Sequence, residues 1–181
     1  MRNLTKQEKP FLYSEPLNQF DKITIGFYVV FSIGFLMGYA FGFVTDPGML
    51  MIYISVPQFC FVFLLYVSLR NFKVYLIWLS FSMINLIIYL GLLGIHELRL
   101  FRNLLFTGSV DTIIMLLLFQ LMRYISLNEQ AREFVNPAKA NNGKDLIENR
   151  QVSNIDYIIS VFYFFSFIGL MMISLYILKT V

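Results

Sequence analysis

Charged residues are scarce in this sequence. Only 14% of its 181 residues are charged, while 58% are hydrophobic and the mean hydropathy is +0.69. Soluble domains carry about 25% charged residues, and a chain of this size has no means of hiding so much apolar surface from water. The composition therefore excludes a soluble domain and a disordered chain, and it predicts an integral membrane protein.

The residues that build common metal and catalytic centres are equally scarce. A single cysteine, Cys60, excludes a disulfide framework and cysteine-based zinc or iron–sulfur sites. A single histidine, His96, excludes a bis-histidine haem. The sequence also lacks the HExxH, GxSxG and phosphate-binding glycine motifs. We therefore expect no catalytic residues, no metal site and no cofactor.

Long apolar runs are what the sequence has instead. Crossing roughly 30 Å of bilayer hydrocarbon takes about 20 helical residues. Uninterrupted apolar runs favour helices over barrel strands, in which polar and apolar residues alternate. The expected fold is all-α with five transmembrane helices, at residues 23–44, 49–69, 74–95, 104–122 and 157–178. Residues 1–22 then form a terminal segment, residues 23–122 hold the first four helices, and residues 123–156 form a loop before the fifth.

The distribution of positive charge predicts an orientation. All but three of the 14 lysines and arginines lie in residues 1–22, 70–73 and 123–156. The positive-inside rule places these regions, and the amino terminus, in the cytoplasm or matrix and the carboxyl terminus outside. The plasma (inner) membrane and an organellar inner membrane fit this bias equally. Because the cations flank membrane helices, the net charge of +3 indicates membrane lipids as partners and not nucleic acid.

Residues 96–103 predict a short helix in the outer interface, before the fourth transmembrane helix. The polar side chains of His96, Arg99, Arg102 and Asn103 share one helical face, opposite an apolar one. We expect Arg99 and Arg102 to contact lipid headgroups.

Gly34, Gly38 and Gly42 follow one another at four-residue spacing in the first apolar run. This spacing makes one smooth helical face, on which another helix can pack closely, within the chain or in a partner. The alternative is that glycine is simply common in membrane helices.

Gln58, Asn85 and Asp111 are polar residues inside the apolar runs. Gln58 and Asn85 are equally distant from the short connection between the second and third runs, which predicts a hydrogen bond between them near the midplane. They either join helices or line a polar path. Asp111 is a candidate for proton or cation handling. Alternatively, if its helix begins near Ser109, Asp111 is a first-turn acid stabilised by the helix dipole.

The loop of residues 123–156 has two interpretations: a solvated connector, or a docking surface for a cytoplasmic partner. Ser153 and Asp156 near its end have the spacing of a capping box that opens the last helix. Taken together, small polar regions and a glycine face favour a non-catalytic structural or accessory subunit of a membrane complex, or a homo-oligomer. The alternative is a small channel or transporter that uses Gln58, Asn85 and Asp111.

Overall fold

The structure, a computed structural model, is all-helical. It describes residues 11–43, 47–95, 98–137, 144–145, 147–148 and 150–179. The helices are α1 (Gln19–Ala40), α2 (Pro47–Phe63), α3 (Phe72–Gly91), α4 (Arg99–Gln130) and α5 (Asn154–Lys179), with one turn of 3-10 helix at Ser68–Arg70.

Four of these helices, α1, α3, α4 and α5, are long and apolar enough to cross a membrane. Most of their surface faces away from the rest of the chain; only 6% of the apolar window of α1 and 17% of that of α5 is buried. Apolar surface of this extent on the outside of a folded protein indicates that lipid covers it. The helical class and the membrane character expected from the sequence are therefore supported.

Helix α4 lies at the centre of the bundle, in contact with α2, α3 and α5. It runs without interruption through 32 residues. The prediction of a separate interfacial helix is therefore wrong for residues 99–103, which are the first turns of α4; His96 and Glu97 lie outside the described residues. A change in polarity along one helix, at Arg99 and Arg102, resembles a boundary between two helices when only the sequence is read.

Helix α2 is shorter than predicted and ends at Phe63. The following connection is apolar but buried in protein, with Leu65, Tyr66 and Leu69 at most 1% exposed. Hydropathy alone does not distinguish an apolar residue covered by a loop from one covered by lipid, so the sequence placed this connection in the membrane.

Helix α1 packs on the bundle through one aromatic face. Phe31 and Phe35 stack on Tyr53 of α2, and Tyr39 stacks on Phe101 of α4 with ring centroids 4.8 Å apart. Tyr28 contacts the α3 residue Trp78 at 4.9 Å. These four α1 residues follow helical spacing, so they form a single stripe, and the opposite side of α1 has no neighbour among the described residues.

One end of the bundle carries most of the polar contacts, and we call it the polar end. Three segments meet there: residues 11–18, the connection of residues 64–71 and the loop of residues 131–153. The Tyr66 hydroxyl donates to Asp145 at 2.8 Å, and the Tyr13 carbonyl accepts from the Phe72 amide at 2.9 Å. Where the structure describes it, the loop is packed against protein and not simply solvated, since Asp145 is 0% exposed and Val135 is 1% exposed.

The start of α5 follows the predicted capping box. The Asp156 amide donates to the Ser153 hydroxyl at 3.1 Å, and the Ser153 amide donates to the Asp156 carboxylate at 3.0 Å. Because each side chain satisfies the backbone N–H of the other residue, two donors that a helix start leaves free are paired. An equivalent box between Asn18 and Asp21 opens α1.

Candidate functional site

A buried carboxyl group lies near the middle of α4. Asp111 is 4% exposed and accepts a very short hydrogen bond from the Ser174 hydroxyl of α5. It is the thirteenth residue of α4, about 18 Å along the helix from Arg99 and about 18 Å from Arg123. The interpretation as a first-turn acid at the outer surface is therefore wrong, and the depth of Asp111 is that of a functional candidate.

The amide of Gln58 in α2 faces the same carboxyl group. Gln58 is 0% exposed, and its side chain interacts with the Asp111 carboxyl group. Neither its side-chain oxygen nor its nitrogen makes a well-formed hydrogen bond to any residue that the structure describes. Three helices thus bring Gln58, Asp111 and Ser174 together. The sequence predicted no contact between any two of these residues.

The predicted hydrogen bond between Gln58 and Asn85 is wrong. The Asn85 amide donates instead to the Tyr53 hydroxyl at 3.4 Å, and the Tyr28 hydroxyl interacts with both groups. Equal depth in the bilayer is necessary for contact but does not fix the direction in which a side chain points. Helices α2 and α3 meet through side chains such as those of Tyr53 and Asn85, while the backbone of each lies closer to α4.

Arg123 organises a cluster of buried charges at the polar end. Its side chain is 1% exposed, and its Nε and Nη2 atoms donate to the two Glu133 carboxylate oxygens at 2.9 and 2.5 Å. Further bonds reach Gln120 and the carbonyl of Phe11, both at 3.0 Å. The guanidinium also lies 4.8 Å from the centre of the Phe11 ring. Arg123 thereby ties α4, the loop and the amino-terminal segment together.

Arg70 extends this cluster from the connection between α2 and α3. It donates to Glu148 and to the Phe134 carbonyl, each at 2.7 Å, and its Nε lies 4.0 Å from Glu133. Arg150 pairs with the other Glu148 oxygen at 2.8 Å. Ion pairs and hydrogen bonds of this kind add fixed polar contacts to segments that buried apolar residues such as Tyr66, Leu69 and Phe134 also hold in place.

Asp145 shapes the loop around its own carboxylate. Burial opposes its ionisation, but hydrogen bonds from the Glu148 and Arg150 amides and from the Tyr66 hydroxyl outweigh burial and lower the pKa of Asp145. Burial, together with the adjacent Asp145 carboxylate, raises the pKa of Tyr66. The pair therefore stays as a neutral phenol donating to a carboxylate at neutral pH.

The structure separates the three glycines of the predicted face, and their packing against another helix stays a prediction. Gly42 lies beyond the end of α1 with φ +76°, and the Phe43 amide reaches the Gly38 carbonyl at 2.8 Å while the Gly42 amide reaches that of Tyr39 at 3.0 Å. This is a Schellman motif, which requires a left-handed residue and explains the glycine without any packing partner. Gly34 does lie in α1, and a Cβ added there would meet no described atom within 4 Å.

The two arginines at the start of α4, Arg99 and Arg102, differ in their surroundings. Arg102 donates to the Leu93 carbonyl at 2.8 Å and so holds the turn that follows α3. Arg99 is exposed at the first position of α4. Contact of either residue with lipid headgroups stays a prediction.

An apolar groove of about 240 Å³ separates part of α1 from α2 and α3. Cys60 lines it and is half-buried. The groove leaves α1 attached to the bundle mainly through its aromatic stripe. The other lining residues include Ile23, Phe27, Val56, Pro57 and Leu64.

Sequence reasoning missed the charged cluster at the polar end entirely. Its members are spread over residues 11–150. The one signal in the sequence is that charged residues are scarce, so that each arginine and glutamate stands out as a candidate for an ion pair. Within the described residues no group of three His, Cys, Asp or Glu side chains converges. Comparison of the chain with known protein families, with curated proteins and with solved structures finds no match.

Proposed function

We propose that this chain is a non-catalytic, multi-pass membrane protein that serves as a structural or accessory subunit, in a larger membrane complex or in a homo-oligomer. The observation that carries the proposal is the position of α1. One aromatic stripe holds α1 to the bundle, while most of the rest of the helix is exposed, with Gly26 and Gly34 among large apolar residues such as Phe27 and Val30. In lipid, an apolar helical surface that contains small residues gains van der Waals contact when a second helix packs on it.

The proposal includes five membrane crossings with the polar end in the cytoplasm or matrix. Residues 1–22, 70–73 and 123–156, parts of which meet at the polar end, carry 11 of the 14 lysines and arginines, which supports this orientation under the positive-inside rule. Helix α2, at 17 residues, is about 25 Å long and so is shorter than the hydrocarbon layer. The buried connection of residues 64–71 extends the crossing to the surface. The plasma (inner) membrane and an organellar inner membrane remain equal alternatives in this proposal.

The experiment that tests assembly is gentle detergent extraction of tagged protein, followed by native mass determination and identification of co-purifying subunits. We expect a stoichiometric assembly that Gly34→Ile weakens, because the larger side chain holds the partner helix away. Gly169→Ile is the matched control, since Gly169 is an exposed glycine on α5 with equally open surroundings. A monomeric wild-type protein, or equal effects of both variants, would contradict the proposal.

A second candidate function is that of a small channel or transporter, and the convergence of Gln58, Asp111 and Ser174 favours it. Polar groups from several helices that meet at the depth of the bilayer centre are typical of substrate and ion sites. Asn85, the third residue of the original hypothesis, belongs to a different cluster. Ion or proton flux into proteoliposomes that Asp111→Asn abolishes would support transport, and equal flux through both proteins would contradict it.

A further inference from the structure

Among the residues that the structure describes, no cation lies beside the Asp111 carboxyl group. An ionised carboxylate surrounded by protein and hydrocarbon is costly unless a cation or several hydrogen-bond donors accompany it. Along α4 the nearest cations are Arg102 and Arg123, about 13 Å and about 18 Å away along the axis. Arg102 is engaged with Leu93 and Arg123 with Glu133.

The neighbouring helices supply no counter-charge either. The groups that face Asp111 are the Gln58 amide from α2 and the Ser174 hydroxyl from α5, and both are neutral. The sequence of α2 contains no charged residue, and the one in α3 is Lys73, at the polar end. On α5 the nearest charged residue is Lys179, which is exposed and forms no ion pair with any described residue. Asp111 is therefore neutral only if it holds a proton or a bound cation.

The hydrogen-bond donors and acceptors around Asp111 favour a bound proton over a bound cation. An ionised carboxylate only accepts hydrogen bonds, whereas a carboxylic acid also donates one. Beside an ionised Asp111, the Gln58 side-chain oxygen would remain buried without a donor, at a cost of about 1–3 kcal/mol. Beside a protonated Asp111, that oxygen gains the missing donor, and the Gln58 Nε2 and the Ser174 hydroxyl both have an acceptor in the second carboxyl oxygen.

We propose that Asp111, Gln58 and Ser174 form a proton-binding site inside the membrane, with the proton resident on Asp111 at neutral pH. The Asp111 acid group donates to Gln58 Oε1, and its other oxygen, Oδ2, accepts from Ser174. Binding transfers one proton from water to the carboxylate: one O–H bond forms, and the charge of the site changes from −1 to zero. The inference goes beyond a structural role and deepens the transport candidate, but the site binds its proton whether or not the protein moves it across a membrane.

Infrared difference spectroscopy of the purified, reconstituted protein tests the proposal. At neutral pH we expect the C=O stretching band of a protonated carboxylic acid, which shifts on exchange into D₂O and disappears in Asp111→Asn. Asp156→Asn is the matched control and leaves the band in place. Asp156 is also buried, but its carboxyl group accepts hydrogen bonds from Arg132, Gln130 and backbone amides.

Two further variants test the geometry without removing the acid. Gln58→Leu and Ser174→Ala should retain the band at a changed frequency, because each alters the hydrogen bonds of the Asp111 carboxyl group. Absence of the band from folded wild-type protein would overturn the proposal. The proposal would also be overturned if the band did not change in Gln58→Leu, or if the band disappeared when sodium is added at constant pH. The spectra need no gradient, so absent flux contradicts only transport and an absent band contradicts only the proton site.

Discussion

Replacing Arg123 by methionine should destabilise the protein more than any other single change at the polar end. The variant keeps an unbranched side chain of similar length but leaves Glu133, only 10% exposed, without its main partner. Breaking a buried ion pair from one side costs about 3–5 kcal/mol. We expect the lower limit, about 3 kcal/mol, because Arg70 remains 4.0 Å from Glu133 and compensates in part.

The assay is thermal unfolding in detergent micelles, followed by the fluorescence of Trp78. This is the single tryptophan of the chain, it is 3% exposed, and its ring contacts Tyr28 and Phe61. A loss of about 3 kcal/mol corresponds to a decrease in Tm of about 6–12 °C for a chain of this length.

Arg132→Met is the matched control for this experiment. The Arg132 side chain is 37% exposed, and Asp156 keeps its other donors when Arg132 is removed, so we expect a loss below about 1 kcal/mol. The double variant Arg123→Met/Glu133→Leu should be more stable than Arg123→Met alone, since it removes the stranded carboxylate. If Arg123→Met and Arg132→Met lowered the Tm equally, the assignment of Arg123 as the organising residue would be refuted.

Two further results are expected. The pKa of Asp145 is lowered in the folded protein, so its contribution to stability is complete above the unfolded value of about 4 and is lost as the pH falls below that value. Asp145→Asn should therefore flatten the decrease of the Tm in acid. An unchanged slope would contradict this assignment. Gly42→Ala places a Cβ at φ +76° and should lower the stability by about 1 kcal/mol, whereas Gly34→Ala, at a helical and open position, should raise it. Measurement of the Tm of both variants checks this order, and the reverse order would contradict the Schellman motif.

The long helices were predictable because their signal is local. Apolar runs of about 20 residues identified α1, α3 and α5 to within a few residues of their ends. The capping box of Ser153 and Asp156 was predictable for the same reason, since its two partners are three residues apart. Local spacing therefore fixed what a helix needs in order to form, and left the packing of the helices undetermined.

The errors arose where tertiary contacts replaced lipid or water. Leu65, Tyr66 and Leu69 lie in the connection of residues 64–71, where protein buries them, so α2 ends earlier than hydropathy indicates. Asp145 is charged and lies in a polar segment, yet it is completely buried because backbone amides surround it. In both cases the residue type describes the usual environment of a side chain, and the fold supplied a different one.

The candidate site was predicted in its members but not in its pairing. Asp111 and Gln58 stood out as polar residues in apolar runs, and the depth of Gln58 was estimated from helix geometry. Its partner was wrong because depth along an axis leaves the rotation of the helix undetermined. Ser174 gave no signal at all, since serines are common in membrane helices and this one is 63 residues away from Asp111.

The most direct test of the proposed assembly is disulfide crosslinking in the native membrane, before any detergent is added. In a Cys60→Ser background, Gly34→Cys should form a crosslinked species, with a second copy of the chain or with a partner subunit, while Gly169→Cys should not. Crosslinking at both positions would indicate random collision. Its absence at position 34 under oxidising conditions would contradict the claim that α1 is the contact face of a subunit.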